Sequence, residues 1–255
     1  MLRVAVITQD DPFYLPQFFR TFLDRHPRSV EIAWISVLDA FDESTVDLAR
    51  RAYTLYGPVN FVRRGTEYVG RKAATAVGLR NDSVATVAAA HDVQVVREQS
   101  VNTDEFVDRV DAESIDIVLS VAAPEILDKA VLDAPSWGCL NVHTSELPKY
   151  RGMLPTFWAL YHDESEVGVT VHTMTEEIDD GEIVRQTTFD VGPDDSLDEV
   201  ITKGKQLGAR EAAKALETIA EGSVSTRPMR GEGSYHSFPT AKERRELTES
   251  GRSML

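Results

Sequence analysis

Two short runs of apolar, largely β-branched residues, LRVAVIT at 2–8 and VEIAWISV at 30–37, flank FYLPQFFRTFLDRH, whose apolar positions recur at helical spacing. Strands so uniformly apolar are buried on both faces, and a helix between two of them predicts a strand–helix–strand unit within a parallel sheet. Strands are expected again at VQVVRE, IDIVLSV and WGCLNVH, joined by helical stretches TDEFVDRVDA and PEILDKAVLDA. After a helix at LPTFWALYH, the runs VGVTVHTMT and GEIVRQTTF are separated only by a short acidic loop, which predicts an antiparallel pair at the sheet edge. A long helix, DSLDEVITKGKQLGAREAAKALETIAEG, closes the layout. The expected fold is α/β: a doubly wound, mostly parallel sheet with an antiparallel edge pair. Residues 1–222 are expected to form one domain, with a helical insertion at about 42–91 in which only VNFV hints at a strand. The polar stretch 223–255 is expected to be a tail of loop plus one short helix.

At 255 residues, 42% of them apolar and 27% charged, the chain can bury one sizeable core and is not disordered. It carries no run of about 18 apolar residues and no cleavage pattern behind MLRVAVIT, so a cytoplasmic protein without a membrane partner is expected. Cys139 is the single cysteine, which excludes an intrachain disulfide or a CxxC metal pair; within GCLNV it reads as a small buried hydrophobe. The formal charge of −15 disfavours non-specific binding to phosphate backbones, so nucleic acid is an unexpected partner. An acidic, lysine-poor surface also suits a high-salt solvent.

Ligands of doubly wound sheets sit beyond the carboxyl ends of the strands, and Asn141 and His143 end the run WGCLNVH. Alternation places both on one side of that strand, with Val142 opposite. An imidazole can exchange protons near neutral pH, and a carboxamide can donate to a developing oxyanion. A polar strand end is also common for purely structural reasons, because buried polar groups must be bonded. The second cluster is TEEIDDGEIV at 175–184. Asp-Gly suits an ordinary turn, yet Asp179 or Asp180 could equally face His143 and adjust its proton affinity.

The composite NVHTSELPKYRG…PTFWAL…GVTVHTMTEEIDDGEIV resembles the formyltransferases that use 10-formyltetrahydrofolate, whose pattern is Asn-x-His-x-Ser-x-Leu-Pro-x-x-Arg-Gly, then a Gly-Val-Thr strand and an Asp-x-Gly loop. The resemblance is good over about 115–221 and looser in the first strand and helix. It implies a Rossmann-like fold and formyl transfer to a primary amine, with 10-formyltetrahydrofolate as co-substrate and no metal. The catalytic group it implies is Asn141, His143 and Asp179. Backbone around Ser120, Val121 and Ala122, and around Thr175, Glu176, Glu177 and Ile178, would lie against the pterin. Ser145, Pro148, Arg151 and Gly152 would shape the formyl site's floor and the acceptor mouth, with Arg151 either contacting substrate or pairing with the acidic loop. Glu146 departs from the family pattern, which usually has Leu there. His172 is read as a packed strand histidine.

The acceptor is expected to be a small molecule, with a nucleotide-linked amino sugar the closest resemblance. Asp10 and Asp11 stand where enzymes acting on glycinamide ribonucleotide carry a phosphate-binding glycine turn. Enzymes formylating methionyl-tRNA carry a further β-barrel domain, whereas only 33 residues follow Gly222. Tyr53, Tyr56, Arg63 and Arg64 in the insertion could stack a base or grip a diphosphate, or simply form a solvated helix face. A methionyl-tRNA formyltransferase-like enzyme without the tRNA domain, a formyl-folate hydrolase and an inactive folate-binding module are the alternatives. A nicotinamide dehydrogenase is disfavoured, because no GxGxxG follows the first strand.

Overall fold

The structure, a computed structural model, describes residues 1–38, 45–77 and 83–255. In chain order its elements are β1 (Leu2–Gln9), α1 (Leu15–Arg25), β2 (Val30–Leu38), α2 (Thr45–Ala76), α3 (Val84–Ala89), β3 (Gln94–Glu98), α4 (Asp104–Ala112), β4 (Ile117–Val121), α5 (Lys129–Asp133), β5 (Gly138–His143), β6 (Arg151–Gly152), α6 (Pro155–Tyr161), β7 (Glu166–Thr173), β8 (Ile183–Asp190), α7 (Leu197–Ala220), β9 (Tyr235–His236) and α8 (Ala241–Glu249). Seven strands form one sheet in the order β3-β2-β1-β4-β5-β7-β8. The first five are parallel, while β7 runs antiparallel to both β5 and β8.

Strand alternation divides the core between the two faces of the sheet. Val4 and Val6 join Phe18, Phe19 and Phe22 of α1 and Ala212 and Leu216 of α7 on one side. On the other, Ala5 and Ile7 meet Trp34, Phe106 of α4 and Val131 of α5. Helix α7 lies close to the sheet through glycine: a Cβ at Gly208 would stand 3.0 Å from Val142 Cγ1, and one at Gly204 2.5 Å from Thr144 Cγ2. Its start is fixed by a reciprocal capping box, in which Ser196 Oγ accepts from the Glu199 N–H and Glu199 accepts from the Ser196 N–H.

Three sequence expectations change. VNFV is helical: Gly57 turns the chain at φ 71°, and Pro58 begins a second limb of α2 in a position that needs no backbone N–H donor. Of PEILDKAVLDA only 129–133 is helical. The Glu125 carboxylate instead accepts from Val101 N–H and Ser100 Oγ, and Ile126 O accepts from Asn102, holding the preceding stretch in an irregular path. The tail contributes more than loop and helix, because β9 pairs in parallel with β6. The expected insertion begins at Asp42, which lies outside the described residues, as do 39–44 and 78–82 generally.

Candidate active site

Asn141 and His143 close β5, while β7 runs antiparallel beside it and pairs Asn141 with His172. Ser120 of β4 is in register on the opposite side of Asn141. After β7 the chain loops outward and returns at Gly181, where any Cβ would overlap the Thr173 carbonyl. That close return carries Asp179, at φ 50°, back over the end of β5. Asp179 Oδ1 then stands 3.3 Å from Asn141 Nδ2, 3.5 Å from His143 Nδ1 and 3.6 Å from His172 Nε2. Its other oxygen, Oδ2, accepts from the Gly152 N–H at 2.9 Å. The three residues singled out in the sequence converge. His172 is buried too, and its Nε2 is 3.3 Å from Asn141 Nδ2, so it belongs to this group rather than to the core alone.

Carbonyl partners assign the protons on both rings, since a carbonyl can only accept. His143 Nε2 lies 2.9 Å from Tyr150 O and therefore carries the hydrogen, leaving Nδ1 with a lone pair when the ring is neutral. His172 Nδ1 lies 2.8 Å from Thr173 O, so its Nε2 is the acceptor that faces Asn141. Both N–H bonds of Asn141 thus point at protein acceptors, each at the long distance of 3.3 Å. Burial drives the pKa of His143 below its ordinary value and outweighs the opposing pull of Asp179. For Asp179 burial acts upward, while the His143 and His172 imidazoles, when protonated, and the Gly152 N–H pull it well below the usual carboxylate range.

The loop after β5 lies beside this group. Ser145 Oγ donates to Lys149 O, and Gln186 Nε2 donates to Leu147 O beside the buried Pro148. Tyr150 and Leu154 take positive φ of 59° and 49°, turning the chain sharply on either side of Gly152. Arg151 pairs with Asp180 through its guanidinium, the acidic-loop partner rather than open solvent. Tail residues pack on the segment that follows. Arg151 N–H donates to Ser234 O, Met153 N–H to His236 O and Trp158 Nε1 to Ser237 O, while His236 stacks 4.5 Å from Trp158. The sequence held no local signal for this, because a two-residue strand has no periodicity.

Ser120 and Val121 are buried, and the Val121 carbonyl accepts from Thr8 Oγ1 at 2.8 Å. The chain turns at Ala122, φ 53°, which is partly exposed. Thr175, Glu176, Glu177 and Ile178 are all exposed on the loop that leads into Asp179. Glu146 faces solvent, with Gly168 packed under its backbone. Cys139 is 3% exposed, and burial, assisted by Asp133, pushes its thiol pKa up to about 12.

The other candidates do not join the triad. Arg64 is buried, donating to Tyr14 Oη and Glu67, paired with Asp198, and set 4.2 Å over the Phe13 ring. With Phe13, Tyr14, Arg20, Arg71 and Thr202 it lines a cavity of about 330 Å³. Tyr56 lies 5.4 Å from the Arg64 guanidinium, Arg63 pairs with Glu67, and Tyr53 meets Phe61 edge-on. Asp11 accepts from the Phe13 N–H; burial raises its pKa, with Lys205 and Arg64 opposing. Among the described residues no cluster of His, Cys, Asp and Glu could hold a metal ion, and no helix is long and apolar enough to cross a membrane.

Comparison with known proteins places this geometry in context. The chain is 34% identical over 173 residues to the methionyl-tRNA formyltransferase of Sorangium cellulosum, covering 68% of this chain and 56% of that protein. It spans about half the length of the curated relatives it matches. Its fold superposes on glycinamide ribonucleotide transformylase 1 from Symbiobacterium toebii, with a TM-score of 0.62, 18% identity and coverage of 90% and 95% of the two chains. It also superposes on an N-formyltransferase from Helicobacter canadensis in complex with folinic acid and dTDP-3-aminofucose, with a TM-score of 0.61, 15% identity and coverage of 98% and 80%. The model of the formyl transferase family matches residues 67–216, a stretch that contains Asn141, His143, His172 and Asp179, and the chain belongs to that family.

Proposed function

We propose that the protein transfers a formyl group from 10-formyltetrahydrofolate to the primary amine of a small acceptor, with a nucleotide-linked amino sugar as the acceptor class. The observation that carries this reading is the meeting of Asn141, His143 and Asp179 around one carboxylate oxygen, 3.3 and 3.5 Å away. A folate donor at the rim is supported by the exposed loop 175–178 and the turn at Ala122, which offer backbone beside the triad, with Ile178 as an apolar face. When bound, the folate supplies an electrophilic formyl carbon whose oxygen gathers negative charge as the amine adds.

The chain's own groups then have separable tasks. Asn141 turns one N–H from its long internal bond toward that oxygen; removing such a donor typically slows a reaction about 10²–10³-fold. Neutral His143 receives the proton of the attacking amine at Nδ1, directly or through a water, as an imidazolium stabilised by Asp179 3.5 Å away, and returns it to N10 of the folate as the formyl C–N10 bond breaks and tetrahydrofolate leaves. Asp179 is held ionised by the N–H donors of Asn141 and Gly152, and by His143 once that ring is protonated. Burial of His143 and His172 limits water at the reacting atoms, favouring an amine over hydrolysis.

Support for the acceptor comes from the fold shared with an enzyme bound to dTDP-3-aminofucose and from the arginine- and aromatic-lined cavity beside α1 and α7. A second reading, methionyl-tRNA as acceptor, is supported by the named sequence relatives. Incubation with 10-formyltetrahydrofolate and a panel of nucleotide-linked amino sugars and methionyl-tRNA, followed by folate absorbance and product mass, separates the two. Formylated sugar is the expected product. Formyl-methionyl-tRNA alone would transfer the assignment to the second reading, and formate without formylated product would end both.

A further inference from the structure

Among the described residues, seven of the eleven exposed large hydrophobic side chains lie in 46–77, so one helical arm gathers most of them. Its second limb, from Pro58 onward, turns an inner face with Arg64 and Arg71 toward Phe13. The outer face carries Val59, Val62, Thr66, Val69, Ala73 and Ala76, all exposed, with Val59, Val62 and Val69 at 79%, 63% and 66%. Their spacing alternates three and four residues without interruption over about 26 Å, the repeat by which one helix seats against another.

We propose that this seam pairs with the same seam of a second copy of the chain, with the two helices antiparallel about a two-fold axis between Thr66 and Val69. Reversing the stripe against itself sets Val59 level with Ala76, Val62 with Ala73 and Thr66 with Val69. Two layers then set valine against alanine and the central one sets threonine against valine, the same patch serving both copies as an isologous two-fold interface requires. Gly65 and Gly70, related by the same axis, let the backbones approach.

Charge permits the pairing. The helix carries six basic residues, Arg50, Arg51, Arg63, Arg64, Arg71 and Lys72, against Asp47 and Glu67. Only Arg63 and Lys72 border the seam, on opposite flanks, and antiparallel packing sets Arg63 beside Gly70 and Lys72 beside Gly65 of the second copy. Each is also held by its own helix: Arg63 pairs with Glu67 at 3.4 Å, and the Lys72 ammonium lies 5.0 Å from the Tyr68 ring centre. An anionic membrane or a nucleic acid would favour cations along the stripe, where this chain has valine and alanine. A contact of one helix length falls below the about 800 Å² per partner typical of tight complexes, so the dimer is reversible.

Sedimentation equilibrium of the full chain, from low micromolar to near-millimolar concentration, tests this. The expected result is a mass rising from monomer to dimer. Val62→Glu/Val69→Glu should weaken association about 100-fold by burying like charges, with unchanged circular dichroism because both sites face solvent. Spin labels on Val59→Cys read the orientation, since native Cys139 is buried. Antiparallel pairing puts them about 26 Å apart, and parallel pairing within roughly 10 Å. A monomer at every concentration, a dimer indifferent to the glutamates, or adjacent labels would each overturn the proposal. So would a monomer whose seam instead binds anionic lipid vesicles or RNA.

Discussion

His143 donates from Nε2 to Tyr150 O at 2.9 Å, so its basic nitrogen faces the Asp179 side of the site. Desolvation lowers its pKa, so the ring is neutral at pH 7 and the acid limb of a kcat profile should lie below the ordinary 6.5. Because Asp179 opposes that lowering, Asp179→Asn should move the limb further toward acid while reducing kcat; a limb that moves to higher pH would contradict the assigned electrostatics. The stability linkage has the same sign for both groups. The folded state binds fewer protons than the unfolded chain, so stability declines as pH falls below about 6.5 for His143, and again below the ordinary carboxylate range for Asp179. Asn141→Ala and His143→Ala should each slow turnover about 10²–10³-fold, with melting temperature and folate binding read separately to exclude misfolding.

At the scale of elements, the hairpin between β7 and β8 aims the carboxylate and the β6–β9 pair holds its second oxygen. Gly181→Ala would push the returning strand off the Thr173 carbonyl, at about 1–3 kcal/mol of stability by denaturant titration and with loss of activity. His236→Ala removes the ring stacked on Trp158 and should lower kcat/KM by roughly 10-fold or more through the displaced Gly152, while leaving the sheet's far-ultraviolet signal intact. Strands β1, β2 and β4 were legible because each is a largely buried apolar run rich in β-branched residues, and α7 because its apolar positions recur at helical spacing. Asn141, His143 and Asp179 were legible only as a composite, through spacing and resemblance together. VNFV misled because four residues are too few to show a period; its fate was set by the preceding Gly57-Pro58. The partnership of β9 with β6 and of His172 with Asn141 depends on contacts 84 and 31 positions apart, which no local pattern encodes.

For the whole molecule, the surface chemistry makes its own prediction. A chain with 42 acids and 27 bases repels itself, so screening by KCl should raise the melting temperature and sustain activity; a protein at its best in dilute buffer would remove the link to a high-salt solvent. Docking of the tail also orders events in time. The Gly152 N–H that steadies Asp179 is presented by a segment whose neighbour arrives only after β7, β8 and α7 have been threaded past it. A two-residue pair is too small to form before the sheet it docks on, so a chain refolding from denaturant should regain helix and sheet first and turnover later. Newly made copies would pass through an interval of being folded yet chemically silent.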